Sequence, residues 1–217
     1  LLSLGLDSRK LSIIPNGFDD NLFLSTPQNS AREKLGLSPT KKILLSIGTL
    51  DGVKGHIYLI EAMQKVSKVR SDVIAVIVGS GPLESKLRKE IAKLSLDEKV
   101  FLVGREPHNK IPLWINASDM FVMPSLNEGF PTVIPEVMAC GKPTIGTNVG
   151  GIPDALSDEN VGTLVNAADS EALAQAILDS LDRKWLHELI YESAQKYSMK
   201  TITAQVVKIY RNLLEWD

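Results

Sequence analysis

Short apolar runs alternate with longer segments of mixed polarity along most of the chain. The apolar runs predict strands over 42–48, 73–79, 100–104, 120–124, 143–146 and 163–165. Most of these runs are continuous and apolar rather than alternating, which is typical of strands covered on both faces. The pattern therefore predicts a sheet with a core on each side.

The longer segments between the runs predict helices. They cover 56–69, 82–94, 109–117, 132–140 and 170–181, and further helical stretches near 186–197 and 201–216 end the chain without a strand between them. Gly141 is placed to end one helix, and Asp169 is placed to cap the start of another. Strands that alternate with helices predict an α/β fold, in which a parallel sheet carries helices on both faces.

Composition narrows the class of protein. The chain has 217 residues, of which 44% are hydrophobic and 23% are charged, and its formal net charge of -2 provides no basic field for nucleic acid. No apolar run is long enough to span a bilayer. Cys140 is the only cysteine, which excludes an internal disulfide and fits a reducing compartment. No spacing typical of metal ligands is present, so we expect no metal site.

The first residues bear on domain organisation. The sequence begins Leu1-Leu2-Ser3, with neither an initiator methionine nor a signal-peptide pattern. We therefore expect a fragment or an excised domain. Residues 1–12 are interpreted as an interdomain linker or the start of the fragment, and residues 13–217 as one domain.

Two glutamates eight positions apart, Glu128 and Glu136, are the most informative feature of the sequence. An apolar strand ends at Pro124, and the chain then turns through Gly129 into a helix near Pro131. Both carboxylates thus lie near the carboxyl end of a strand, the edge of an open parallel sheet where ligands bind. Carboxylates can hold hydroxyls, and free backbone N–H groups at a helix start can hold phosphate, which together suggest a nucleotide or a sugar nucleotide. The alternative for Glu136 is a solvated or capping helix residue.

The turn from Gly48 to His56 carries Lys54 just before a predicted helix. Its later glycines permit close approach of the backbone, and the lysine supplies a positive charge. The turn is therefore a candidate diphosphate site. A flexible loop with a solvated lysine is the alternative.

Three further strand-to-helix turns carry glycine or arginine. The turn at Gly79 reads Gly-Ser-Gly-Pro and resembles the start of a dinucleotide fingerprint, but Glu84 occupies the third glycine position, which favours a simple tight turn. Arg105 follows a strand end and could stack on a base, pair with phosphate or lie on the surface. Gly150 and Gly151 offer backbone donors before a proline-started helix, or form an ordinary loop. Because all these turns are expected at one sheet edge, together they indicate a ligand site.

Taken in order, these phrases resemble the C-terminal half of the retaining glycosyltransferases with the GT-B fold (group 1, family 4). The matching phrases are Ile14-Pro-Asn-Gly17, Gly48…Lys54-Gly55-His56, Val78-Gly-Ser-Gly-Pro82, Phe101-Leu-Val-Gly-Arg105, Ala117-Ser-Asp119, Pro124-Ser125, Glu128-Gly-Phe-Pro131, Glu136-Val-Met-Ala-Cys-Gly-Lys-Pro143 and Gly150-Gly-Ile-Pro-Asp154. The combination is highly specific. It implies a doubly wound, Rossmann-like domain that binds a nucleoside-diphosphate sugar, followed by a C-terminal helical tail.

The resemblance also implies roles for individual residues. Glu136 binds the ribose hydroxyls, Glu128 contacts the donor sugar, and Lys54 neutralises the diphosphate leaving group. Lys54 and Glu128 are thus the implied catalytic residues. The residues implied in substrate binding are Gly17, Thr49, Gly79, Gly81, Arg105, Gly129, Phe130, Pro131, Thr132, Glu136, Gly150 and Gly151. No metal and no other cofactor is implied, because the protein itself supplies the cation.

The sequence departs from the family pattern at two positions. Thr49 stands where the family usually has an arginine that contacts the diphosphate, and a lost charge-assisted hydrogen bond costs roughly 1.5–3 kcal/mol. Pro135 stands where the family usually has an aliphatic residue, and it immediately precedes Glu136. Early in a helix, this proline removes at most one backbone hydrogen bond.

We therefore expect the donor-binding domain of a hexosyltransferase-type enzyme that transfers a sugar, with retention, from a UDP-sugar or GDP-sugar to a glycan, lipid-linked or small-molecule acceptor. Its partners would be the donor, the acceptor and its own N-terminal acceptor domain outside this chain. We expect a cytoplasmic protein, and the sequence leaves open whether the full-length protein is peripheral at the inner face of the membrane. From the fragment alone we expect little nucleotide affinity and no transfer. The alternatives are a catalytically impaired nucleotide-sugar binding module, motivated by Thr49, and a nucleotide-sugar epimerase of similar fold.

Overall fold

The computed structural model describes residue 7 and residues 11–214. Most of the predicted linker at 1–12 and the end of the last predicted helix lie outside the described residues. The strands are β1 (Lys42–Ile47), β2 (Val73–Val78), β3 (Val100–Gly104), β4 (Met120–Met123), β5 (Thr144–Thr147) and β6 (Gly162–Val165). The six predicted strands are therefore confirmed, with bounds that differ by at most one residue at either end.

All six strands run parallel in one sheet, in the order β3-β2-β1-β4-β5-β6. The chain starts in the middle of the sheet with β1, moves outwards to β3 and then crosses back to β4. The direction of winding reverses between β1 and β4, where Leu44 pairs with Met120. A crevice opens at the carboxyl ends of the strands at such a reversal, so the topology predicts where a ligand can bind.

The helices connect the strands and close the chain. They are α1 (Gln28–Leu35), α2 (His56–Val69), α3 (Glu84–Lys93), α4 (Ile111–Ala117), α5 (Val133–Ala139), α6 (Ile152–Ala155), α7 (Ser170–Asp182), α8 (His187–Ala194) and α9 (Met199–Leu214). Asp169 caps α7 by accepting a hydrogen bond from the N–H of Ala172 at 2.9 Å. Gly141 has a φ of 68° just after α5 and donates its N–H to the carbonyl of Met138. Both predicted helix ends are thus confirmed.

The two faces of the sheet bury separate hydrophobic cores. Along β1, Ile43 and Leu45 belong to one core, whereas Leu44 belongs to the other. On the first face α1 packs on α4 and α5 packs on α8, and on the second face α2 packs on α3 and α7. The doubly wound, Rossmann-like arrangement expected from the sequence is therefore confirmed.

Helix α1 was not predicted from the sequence. Its eight residues include few apolar side chains, and one of its two buried residues is Arg32. Gly36 ends the helix with a φ of 66° and donates its N–H back to the last turn. The helix is therefore fixed by polar contacts. It lacks the apolar stripe from which a helix is recognised in a sequence.

The C-terminal tail is tied to the start of the domain. The N–H of Phe18 donates to the carbonyl of Tyr197 at 3.0 Å, and the N–H of Met199 donates to the carbonyl of Phe18 at 3.0 Å. Phe18 itself is buried. Phe18 and the segment 197–199 therefore pack together on the first face of the sheet. In the described part of the chain, no helix combines the length and the apolarity that crossing a membrane requires.

A buried polar network lies at the opposite edge from the crevice, where the strands begin. Asp119 precedes β4 and accepts hydrogen bonds from the guanidinium of Arg32 and from the N–H of Ile43, both at 2.7 Å. Nearby, the ammonium of Lys142 donates to the carbonyl of Ser118 at 2.8 Å. Burial lowers the pKa of Lys142 to about 8, and the charge of Asp119 opposes this shift. One carboxylate thus balances buried cations at the base of the sheet.

Candidate functional site

A cleft opens at the carboxyl ends of β1, β2 and β4, where the topology predicts it. It consists of two adjoining cavities of about 390 and 280 Å³. Both cavities are lined by Ile47, Gly48 and Ile111. The first also contains Thr49, Val78, Gly79, Ser80, Arg105 and Glu106, and the second contains Lys54, His108, Met123, Glu128, Phe130, Pro131, Thr132, Val133 and Glu136.

The first cavity combines apolar walls with a guanidinium. Ile47, Val78 and Ile111 supply the apolar surface, and Arg105 lies at the end of β3. A flat heterocycle can pack on aliphatic side chains, while arginine can stack on its face or pair with phosphate. Thr49 lines the same cavity as Arg105. Arg105 therefore supplies a guanidinium to the same cavity in which Thr49 replaces the arginine expected from the family pattern.

The loops that form the rim of the cleft touch one another through their backbones. A Cβ atom added to Gly79 would overlap the carbonyl of Gly48. Gly55 has a φ of 63°, and a Cβ atom there would overlap the carbonyl of Pro124. Only glycine permits such close approach, so the loops after β1, β2 and β4 are held at a fixed spacing.

A second set of glycines joins the loop after β4 to the loop after β5. Gly150 has a φ of 53°, and a Cβ atom there would overlap the carbonyl of Glu128. The N–H of Gly151 donates to the carbonyl of Gly129 at 2.7 Å. The backbone that carries Glu128 is therefore positioned by the loop after β5. Gly150 and Gly151 therefore contact the backbone of the predicted site residues Glu128 and Gly129.

Lys54 and Glu128 form an ion pair inside the second cavity. The ammonium of Lys54 donates to the carboxylate of Glu128 at 2.6 Å, and the two side chains are 26% and 16% exposed. The carboxylate of Asp51 fixes the lysine's turn by accepting the N–H groups of Val53 and Lys54 at 2.9 and 3.0 Å. The carboxylate of Glu128 therefore balances the positive charge of Lys54. The sequence placed both residues at one edge but did not predict their contact.

Glu136 lies in the first turns of α5 with its side chain only 12% exposed. Burial raises the pKa of its carboxyl to about 7. Pro135 lies in the first turn of the same helix, where backbone N–H groups have no partner within the helix. The proline thus fits α5 without loss of a helical hydrogen bond. Hydrogen bonds from hydroxyl groups would stabilise the ionised form of this buried carboxyl.

His56 is the first residue of α2 and lies next to the loop after β1, which carries Lys54. The side chain is buried, and Nδ1 lies 3.3 Å from the hydroxyl of Ser46. Burial lowers the pKa of the imidazole to about 4, so the ring is neutral at physiological pH. His56 therefore supports the loop that carries Lys54 without adding a second positive charge.

Two predicted glycines lie behind the cleft. Gly17 packs against Tyr197 and Ile202 of the C-terminal tail, and Tyr197 in turn contacts Phe130 at a ring-centroid distance of 5.4 Å. Gly81 packs against the backbone of Leu50. Neither glycine is among the residues that line the two cavities, and their role in substrate binding stays a prediction.

Sequence reasoning missed several residues that line the cleft. They include Ile47, Ser80, Glu106, His108, Ile111 and Val133. The apolar members are indistinguishable in sequence from core residues, and His108 follows a strand end without any accompanying pattern. The described side chains form no group of three or more His, Cys, Asp or Glu residues that could hold a metal ion.

Comparison with known proteins identifies the family to which the chain belongs. The family model for glycosyl transferases group 1 matches residues 27–197. The N-acetyl-alpha-D-glucosaminyl L-malate synthase of Bacillus anthracis is 26% identical over 215 residues, which are 97% of this chain and 56% of that protein. The UDP-Gal:alpha-D-GlcNAc-diphosphoundecaprenol alpha-1,3-galactosyltransferase of Escherichia coli is 32% identical over 189 residues, or 85% of this chain and 48% of that protein. The chain spans about half the length of the curated relatives it matches.

The fold also matches a solved structure with a ligand. The Anabaena protein Alr3699/HepE, in complex with UDP, is similar with a TM-score of 0.86 and 25% identity, over 97% of this chain and 60% of that chain. The family model covers both the strands that carry the cleft and the two glutamates. The chain therefore belongs to the glycosyl transferases of group 1.

Proposed function

We propose that this chain is the donor-binding domain of a glycosyltransferase and that the cleft binds a nucleoside-diphosphate sugar. The observation that carries the proposal is the grouping of Lys54, Glu128 and Glu136 in one cavity beside a second cavity with apolar walls and Arg105. A base fits the apolar cavity, the ribose fits beside Glu136, and the diphosphate fits at Lys54. A similar protein has been solved in complex with UDP, which supports a nucleoside diphosphate as the ligand.

The chemistry follows from the same placement. Lys54 stabilises the negative charge that develops on the leaving diphosphate, which is electrostatic catalysis by a preorganised cation. Glu128 contacts the sugar that is transferred. In this proposal transfer proceeds with retention of configuration and needs no metal ion. The acceptor binds to a second domain outside this chain.

The assignment of Glu136 is tested by calorimetry on the purified chain. UDP, GDP, ADP and their sugar conjugates are titrated into the wild-type protein, Glu136→Ala and the exposed control Glu98→Ala. We expect Glu136→Ala to weaken binding of the best ligand at least about tenfold, because hydrogen bonds to a charged group contribute roughly 1.5–3 kcal/mol. The control should bind like the wild-type protein. Equal affinities for wild-type protein and Glu136→Ala with every ligand would refute the ribose assignment.

The pKa of Glu136 predicts how nucleotide affinity depends on pH. Burial raises this pKa to about 7 in the free protein, whereas hydroxyl donors favour the ionised carboxylate and lower it in the complex. Binding therefore requires proton loss below the free pKa, and affinity should rise about tenfold from about pH 6 to about pH 8 before it levels off.

Glu136→Gln provides the control for this pH dependence. Glutamine cannot ionise, while the protonation of the nucleotide phosphates stays common to both proteins. The difference between the two pH profiles therefore reports on Glu136. Parallel profiles would show that Glu136 does not release a proton on binding.

A further inference from the structure

His108 lies beside Glu136 without a direct hydrogen bond to it. Its Nε2 is 3.8 Å from Oε1 of Glu136. This separation exceeds the roughly 2.7–3.2 Å of a direct hydrogen bond. Both residues line the second cavity of the cleft. The pair therefore presents two polar atoms to the part of the cavity where the proposed function places the ribose.

The imidazole of His108 packs against Phe23 on one side and is accessible from the cleft on the other. Its ring packs edge-on against Phe23, with centroids 5.4 Å apart and an interplanar angle of 63°. Phe23 is buried, so it provides a fixed support for the histidine ring. The side chain of His108 is nevertheless 65% exposed. A ligand in the cleft can therefore reach a ring nitrogen whose position is already restricted.

A hydroxyl group can form hydrogen bonds with both His108 and Glu136. Its oxygen can accept a hydrogen bond from an imidazole N–H and donate its own hydrogen to a carboxylate. An oxygen placed to one side of the line between Nε2 and Oε1 can reach both atoms at hydrogen-bonding distance. Both the neutral ring protonated at Nε2 and the imidazolium supply the necessary N–H. The second oxygen of Glu136 stays available for a neighbouring hydroxyl.

We propose that His108 is a second ribose-binding residue, which donates to the same hydroxyl that donates to Oε1 of Glu136. The inference rests on the proposed function, because it assumes that a nucleotide occupies the cleft. It adds a positioning contact, since a diol held from two sides can rotate less than one held by a carboxylate alone. It also predicts a preference for ribonucleotides over analogues that lack the contacted hydroxyl.

The test combines two substitutions with two altered ligands. His108→Phe keeps an aromatic ring against Phe23 but has no N–H group, whereas His108→Gln keeps a polar donor. The purified chain is titrated with the nucleoside diphosphate that binds best and with its 2′-deoxy and 3′-deoxy analogues. We expect His108→Phe to weaken ribonucleotide binding about five- to tenfold, as for loss of a single hydrogen bond, and His108→Gln to restore part of the loss.

The deoxy analogues separate a contact with the ribose from a purely structural effect. For the analogue that lacks the contacted hydroxyl, His108→Phe and the wild-type protein should bind equally. A loss of the same size for the ribonucleotide and both analogues would overturn the inference, as would no loss with any of them. If Glu136→Ala weakens ribonucleotide binding but His108→Phe does not, the inference fails and the proposed function stands. If no nucleoside diphosphate binds to the wild-type protein, both fail.

Discussion

Replacing Lys54 by methionine is expected to weaken binding of the preferred nucleoside diphosphate by about 10- to 100-fold, in proportion to the roughly 1.5–3 kcal/mol of a charge-assisted hydrogen bond. Methionine keeps much of the length of the side chain but removes the ammonium. The carboxylate of Glu128, which now pairs with Lys54 at 2.6 Å, would then face the diphosphate as a like charge. The loss should appear in calorimetry with the diphosphate and be small with the free nucleoside.

Glu128→Gln is the matched variant, and its expected effect has the opposite sign. Without the carboxylate, Lys54 no longer has to leave an ion pair before it contacts phosphate, so affinity for the nucleoside diphosphate should rise. The sugar conjugate should gain less, because Glu128 is proposed to contact the sugar. Equal losses with diphosphate and nucleoside for Lys54→Met would contradict the proposed role of the lysine.

Asp119→Ala is expected to lower the free energy of unfolding by about 3–5 kcal/mol, the usual cost of removing one partner from a buried ion pair. Arg32 is 4% exposed and its guanidinium would lose its carboxylate partner. The N–H of Ile43 would lose its acceptor as well. Chemical denaturation measures the change directly.

Two controls identify the cause of this loss. Asp97→Ala removes an exposed carboxylate and should change stability by no more than about 0.5 kcal/mol. Because the network lies at the opposite sheet edge from the cleft, folded Asp119→Ala protein should still bind nucleotide with nearly normal affinity. A stability close to that of the wild-type protein would show that Arg32 and Lys142 do not depend on this carboxylate.

The architecture could be predicted from the sequence because most strands are short, largely apolar runs and most helices carry an apolar face. Helix α1 escaped prediction because Arg32, rather than an apolar stripe, fixes it to the domain. A parallel topology brings the ends of distant strands to one edge, so glycines and charged residues that follow strands could be grouped without coordinates.

The finer geometry of the site could not be predicted from the sequence. The contact between Lys54 and Glu128 depends on how closely the loops after β1 and β4 approach, which is set by backbone packing at Gly55. His108 shows no sequence pattern because its neighbour Phe23 lies far away along the chain. Gly17 belongs to a matching phrase but packs against the C-terminal tail, so a shared phrase did not by itself identify a cleft residue.

The backbone contacts between the rim loops have a consequence for how this site can evolve. Where Gly55 meets Pro124 and Gly150 meets Glu128, main-chain atoms set the spacing of the loops. Side chains that project into the cleft can therefore be exchanged while the outline of the cleft stays the same. A change of ligand preference would then need only a few substitutions of these side chains, whereas a side chain added at Gly150 would displace the loop that carries Glu128.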